Sequence, residues 1–191
     1  MSRPSLKTQR YQQIMDAYEY CVGRYGVEGA TLERIATQAG LARPLIRHNV
    51  GNRDALMKGL LLRFDEKCEA FICLLQQQLP ESGRLPSLLD QLFSDSNAHA
   101  AILANALVVA AEDNDEVAAK LKNWIERFSV FILNELQQER PEVGRDELYA
   151  VACGIASIYA NVAAYSPVAD LKDIRQACRT SAGLLLETLV A

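Results

Sequence analysis

A chain of 191 residues with 50% apolar and 23% charged side chains can bury one good core or two small ones, which excludes a disordered polymer. The formal charge of −4 speaks against a uniformly basic nucleic-acid binder, yet residues 1–58 carry nine Lys/Arg against five Asp/Glu. The N-terminal part is therefore positive and the remainder strongly acidic, and local positive charge is all that a polyanionic partner requires.

Residues 1–10 are polar and basic without an apolar stretch, so no export leader is expected and the chain reads as cytoplasmic. Gly and Pro are few, strand-like alternation is nearly absent, and apolar residues recur at three-to-four spacing, which predicts an all-α fold. A first helix is expected from Thr8 to Tyr25, burying Ile14, Ala17, Cys21, Val22 and Tyr25 and ending in the segment 26–29. Two short helices should fill residues 31–50. Asn52 is a suitable N-cap for a long helix marked by Leu56, Leu60, Phe64, Cys68, Phe71 and Leu75, which must stop before Pro80. Further helices are expected near 86–94, 97–112, 115–139, 145–165 and 170–189, with breaks at Asn114, Pro141–Gly144 and Ser166–Pro167.

Five cysteines, Cys21, Cys68, Cys73, Cys153 and Cys178, are scattered without a CxxC pair and read as reduced, buried packing residues. The chain holds two histidines, His48 and His99, which is too few for a credible metal site, and no catalytic centre or cofactor is expected. The uncharged run Leu148–Tyr165 reaches the minimum length of a membrane span. Its Ala, Gly, Ser and Asn content points instead to a helix buried on several sides, so no membrane partner is expected.

The segment from Thr31 to Leu56, TLERIATQAGLARPLIRHNVGNRDAL, places small residues where a tight helix-turn-helix needs them. Ala36 permits close approach, Gly40 takes the turn, and Ile35, Ala39, Leu41 and Ile46 close a mini-core. Thr31 caps the first helix, and Pro44 fits the first turn of the second, where a missing N–H costs nothing. Arg43, Arg47 and His48 then lie on the second helix's outer face. An ordinary helical corner with a charged solvent face would show the same spacing.

Residues 8–60 resemble the DNA-binding domain of the tetracycline-repressor (TetR) family, through Thr31, Ile35, Ala36, Ala39, Gly40, His48, Asn52, Arg53, Asp54 and Leu56, with Ile14, Ala17 and Gly26 upstream. Three departures are Ala42 for the usual serine cap, Arg47 and Asn49 for an aromatic pair, and Val50 for phenylalanine. The resemblance implies a helix-turn-helix domain over 1–52 and an effector-binding and dimerisation domain over 53–191. It implies base contacts from Arg43, Pro44 and Arg47, and phosphate contacts from Thr31, His48, Asn49 and Arg53.

In the second part Ala152, Ala156, Ala160 and Ala164 repeat at steps of four and form a smooth stripe, which lets helix axes come close. The last helix adds Leu171, Ile174, Cys178, Ala182, Leu185 and Leu189. The family's dimer, a four-helix arrangement, would then use Ala152, Ala156, Ala160, Ile174, Cys178, Ala182 and Leu185. An intrachain core would use the same stripes. The family's small-molecule pocket would be lined by Phe93, Asn97, Asn105, Trp124, Phe128, Phe131 and Tyr159, and the uncharged runs 98–111 and 148–165 favour an apolar or aromatic effector. The implied partners are double-stranded operator DNA, a small-molecule effector and a second copy of the chain, as in a ligand-released repressor on a palindromic site. A TetR-like nucleoid-associated or division-control factor without an effector fits the same residues, and an all-helical ligand-binding protein or enzyme without DNA function is the third reading.

Overall fold

The computed structural model describes residues 5–94, 98–165 and 171–189, which form nine helices and no strand. They are α1 (Leu6–Gly29), α2 (Leu32–Ala39), α3 (Arg43–Val50), α4 (Arg53–Gln78), α5 (Arg84–Leu92), α6 (Ala98–Ala110), α7 (Asp115–Glu139), α8 (Arg145–Ala164) and α9 (Lys172–Glu187). The all-α expectation holds, element by element. The first helix starts two residues earlier than expected because Ser5, not Thr8, is the cap: its Oγ accepts the Thr8 N–H at 3.2 Å. Gly26, at φ 72°, interrupts the run toward Gly29.

The chain divides into two compact units, one of residues up to Glu66 with Leu103–Leu121, the other of Lys67–Ile102 with the residues from Lys122 on. Helices α4, α6 and α7 contribute residues to both.

In the first unit α1 buries one stripe, Ile14, Met15, Ala17, Tyr18, Cys21 and Val22, against which α2 and α3 pack. Asn52 Oδ1 accepts the Ala55 N–H at 2.9 Å and starts α4, as its position predicts. From α4, Leu56, Leu60, Leu61 and Phe64 are buried. Arg63 pairs with Asp16, and Lys120 with Asp65. The expected burial of Tyr25 does not occur: its ring is 44% exposed, because the break at Gly26 leaves it at the end of the regular helix. Cys73 is likewise exposed on α4 instead of packed, while Cys21 and Cys68 are buried and Cys153 and Cys178 half-buried, all as free thiols.

In the second unit the end of α4, α5, α7, α8 and α9 share one apolar core. The helix α8 is long and apolar enough to cross a membrane by length and composition, and its Leu148, Val151, Ala152, Ile155 and Val162 are buried in that core. A buried acid supplies the unit's main polar clamp. Glu135 on α7 is 3% exposed and accepts two hydrogen bonds from Arg84, at 2.8 Å to Nε and 3.1 Å to Nη2. That contact, the largest influence on Arg84, holds its pKa above the ordinary value. One turn further along α7, Glu139 accepts the backbone N–H groups of Arg84 and Leu85 at 2.7 and 3.3 Å. The residue before α5, Gly83, has no side chain with which to cap it, so Glu139 satisfies the orphan donors from another helix.

Replacing Glu135 by Gln would remove the carboxylate that the Arg84 guanidinium contacts directly and leave Glu139 as the nearby negative charge. Equilibrium unfolding in urea should show a loss of about 2 kcal/mol, the worth of a charged hydrogen-bond pair. An unchanged midpoint would mean that the clamp adds nothing to the stability of this unit.

Candidate nucleic-acid interface and ring-lined unit

The helix-turn-helix is set by three local devices. Thr31 Oγ1 accepts the Arg34 N–H at 3.3 Å and begins α2. Gly40, at φ 63°, ends it, with Leu41 N–H bonded to Ala36 O at 3.0 Å and Gly40 N–H to Thr37 O at 3.2 Å. Those two bonds are the Schellman pattern, and the left-handed residue it needs is why glycine stands at 40. Gln13 of α1 then donates to Ala39 O at 2.7 Å, pinning the end of α2 to the long helix. Pro44 sits in the first turn of α3, while Ala42 offers no side-chain cap. Ile35, Ala36, Ala39, Ile46 and Val50 are buried, and Leu41 only half so.

On the outer face Arg43, Pro44, Arg47 and His48 are all exposed, as is Thr31. Asn49 is half-buried and its amide donates to Leu45 O at 2.7 Å, one turn back on its own helix. Arg53 is engaged as well: its Nη2 lies 3.0 Å from Val27 O and 2.8 Å from the Glu28 carboxylate. By contrast, neither Arg43 nor Arg47 makes an ion pair with a carboxylate among the described residues.

The second unit gathers aromatic rings. Phe128 is the hub, 5.0 Å from Trp124, 5.4 Å from Tyr159, 6.0 Å from Phe71 and 6.4 Å from Phe131 between centroids. Phe71 also stacks on Tyr159 at 5.9 Å and 13°. Burial pushes the Tyr159 hydroxyl up to about 12, with Cys68 a lesser cause. Phe71 faces a surface groove of about 260 Å³ as well, in which Leu75, Ser87, Asp90 and Gln91 take part, and Gln91 Oε1 is buried there without a hydrogen-bond partner among the described residues.

Helices α8 and α9 pack closely, and a Cβ at Gly154 would come within 2.9 Å of Leu185 Cδ1. Tyr149, Ser157 and Ala160 on α8 and Ile174, Ala177, Ser181 and Leu184 on α9 are left exposed.

No protein-family model matches the sequence, and no curated protein sequence matches it. The fold, however, is shared with solved structures. A TetR transcription regulator from Haloarcula marismortui ATCC 43049 superposes with a TM-score of 0.75 at 16% identity, covering 96% of this chain and 100% of that one. A transcriptional regulator from Rhodococcus sp. Rha1 gives 0.71 at 17% identity, covering 93% and 96%. The chain has the TetR-family fold. The multidrug binding protein EbrR, solved with malachite green, shares it as well, with a TM-score of 0.61 at 16% identity over 95% of this chain and 98% of that one.

On this TetR fold the residues expected to meet DNA separate into two groups. Thr31, Arg43, Pro44, Arg47 and His48 stand exposed on or beside α2 and α3, whereas Asn49 and Arg53 are held by bonds within the chain. Of the expected effector residues, Trp124, Phe128, Phe131 and Tyr159 come together, and Phe93 is buried in the same core without a ring contact to them among the described residues. Asn105 is exposed and belongs to the first unit, and Asn97 lies outside the described residues. Helical spacing marks Phe71 only as a packing position of α4 and does not reveal that it joins three other rings. Of the expected dimer residues, Ala152 and Ala182 are fully buried inside the chain and have no surface for a partner; they serve the intrachain core. Ala156, Cys178 and Leu185 are half-buried against that core, and Ala160 and Ile174 are exposed. Leu184, 56% exposed, escapes a reading of the sequence because Leu184, Leu185 and Leu186 are consecutive and the apolar period fits more than one of them.

Tyr18 and Tyr159 are each pushed up to about 12, chiefly because burial disfavours the phenolate, and the hydrogen bond to Cys153 raises Tyr149 as well. Because the folded-state values of Tyr18 and Tyr159 exceed the ordinary 10.0, their contribution to stability is complete below pH 10 and is lost as pH rises toward 12. Alkaline titration of tyrosinate absorbance should show one late phenol fewer in Tyr159→Phe than in the native protein. An unchanged number of late phenols in that variant would contradict the burial of Tyr159 in the ring cluster.

Proposed function

We propose that the protein is a DNA-binding transcriptional regulator, a repressor that leaves a palindromic operator when a small apolar or aromatic effector binds. The observation that carries it is the cationic outer face of α3 on a helix-turn-helix within a TetR fold, where Arg43 and Arg47 are exposed and have no carboxylate partner among the described residues. In this reading residues 1–52 serve DNA, with Arg43, Pro44 and Arg47 at base edges and Thr31 and His48 at phosphates. Asn49 and Arg53 already bond Leu45 O and the Glu28 carboxylate, so a phosphate would share or compete with those contacts. Residues 53–191 serve effector and dimer.

The effector reading draws on the rings around Phe128, whose faces suit a flat apolar ligand, and on the unsatisfied Gln91 acceptor beside Phe71, which suits an N–H or O–H on such a ligand. EbrR, which shares the fold, is complexed with malachite green, an aromatic molecule. One observation favours the alternative of a TetR-like nucleoid-associated or division-control factor without an effector: the rings already fill the space among themselves.

A duplex selected from random sequence for binding, and a scrambled duplex of equal length, test the DNA reading. Arg47→Ala should cost about 1–3 kcal/mol on the selected duplex and far less on the scrambled one. Equal losses on both would make Arg47 a phosphate contact. Release of the selected duplex by an aromatic compound, with quenching of Trp124 fluorescence, would support the repressor; binding that no compound releases would support the alternative.

The dimer is proposed to use the exposed faces of α8 and α9, and a two-fold pair of reading heads would match half-sites one helical turn apart, roughly 34–36 Å. Leu184→Arg should convert a dimeric mass in light scattering to a monomeric one while leaving the helical content unchanged, because Leu184 is exposed in the single chain. A wild-type monomer, or a variant that stays dimeric, moves the interface elsewhere.

A further inference from the structure

A groove of about 550 Å³ on the first unit lies outside the recognition face of α3 and is lined by Tyr25, Thr31, Glu33, Arg34, Thr37 and Gln38. Arg34 stands in it under unusual constraint. Its Nη1 donates to Gly29 O at 2.7 Å, and its guanidinium carbon lies 4.4 Å from the centre of the Tyr25 ring. Arg24 approaches the same ring at 5.8 Å.

The glycine between them is part of the arrangement: a Cβ at position 29 would come within 2.9 Å of Tyr25 Cβ and 3.4 Å of Arg34 Nη1. Tyr25, Gly29 and Arg34 thus interlock, and the guanidinium is fixed in place while remaining exposed. Neither Arg34 nor Arg24 pairs with a carboxylate among the described residues, in contrast to Arg53 and Arg63. One bond to Gly29 O uses one of the five N–H donors of Arg34, leaving a charged fork directed by the ring stack. Holding a long side chain still beforehand removes an entropy cost that a mobile surface arginine meets on binding.

We propose that this groove is a second backbone site for DNA, in which Arg34, buttressed by Tyr25 and Gly29, binds a phosphodiester beside the recognition helix. The Thr31 hydroxyl and the Gln38 amide supply neutral donors around the anion, whereas the Thr37 hydroxyl donates to Glu33 O at 3.0 Å. Glu33 opposes it, so the two arginines and one carboxylate leave a net charge of one, which suits a single phosphodiester. The inference rests on the DNA-binding reading and adds to it a sequence-independent contact from Arg34, which the motif itself does not mark.

The test uses Arg34→Gln, which keeps a donor for Gly29 O and removes the charge, and Arg34→Lys, which keeps the charge. Affinity for the selected and scrambled duplexes is measured across a salt series, with thermal unfolding of each variant alongside. Arg34→Gln should bind both duplexes more weakly by a similar factor and lower the slope of log affinity against log salt by about one unit. Arg34→Lys should keep the wild-type slope, and this variant decides the question if the Gln variant is unstable. An unchanged slope in Arg34→Gln, a loss confined to the selected duplex, or a lowered slope in Arg34→Lys overturns the proposal. Wild-type protein that binds neither duplex overturns the DNA-binding reading and this inference with it.

Discussion

Two helices of eight residues do not persist alone in water, since a helix below about 12–15 residues gains too little to offset its nucleation. The surface that α2 and α3 present therefore exists only through their burial on α1. Ile14, Tyr18 and Val22 supply the apolar side of that burial, and Gln13 adds one directed bond at the point where α2 ends. Because that bond and the left-handed Gly40 act within two residues of one another, the angle between α2 and α3 is fixed by backbone chemistry before any side chain on the outer face is chosen. The outer face is then free to vary, and Arg43 and Arg47 stand exposed on it.

The same logic applies to charge. Nine basic residues precede position 59, but the fold spends some of them internally. Arg53 holds the Val27 carbonyl and the Glu28 carboxylate, and so ties the start of α4 to the end of α1. Such a cation releases little counterion on meeting a phosphate, because its own counter-charge must first be displaced. Arg34, Arg43 and Arg47 carry no such partner among the described residues. A count of basic residues in sequence overstates the charge available to DNA, and the ion pairs say where the overstatement lies.

This distinction also marks the boundary of what the amino-acid string reveals. Caps and turns are legible because they are local: Thr31, Gly40, Asn52 and Pro44 each act within a few residues, and the structure places each one as its chemistry requires. Contacts across the chain are not. Nothing near Glu135 in sequence names Arg84 as its partner, and nothing near Gly29 shows that Tyr25 and Arg34 pass on either side of it. The alanine stripe of α8 is legible as a close-packing surface, but periodicity alone does not tell whether the neighbour is α9 or another copy; burial of Ala152 and Ala182 assigns those two positions to the chain's own core.

The ring cluster sets the energetic terms for any effector. Each pair of rings contributes about 0.5–1.5 kcal/mol beyond the apolar area it buries, so a molecule that enters among Phe71, Trp124, Phe128 and Tyr159 must first displace several such contacts. An aliphatic ligand returns only area, whereas an aromatic one returns area together with ring faces. For the proposed effector, the closed cluster would favour aromatic over aliphatic molecules, and apparent affinity would fall by the fraction of time the cluster is open. Phe71 stacks on Tyr159 and also lines the α4–α5 groove, so one side chain belongs both to the cluster and to the surface. In the proposed regulator, a ligand that displaced that ring would couple its binding to loss of internal packing, which is the differential interaction that a ligand-dependent shift between two states requires.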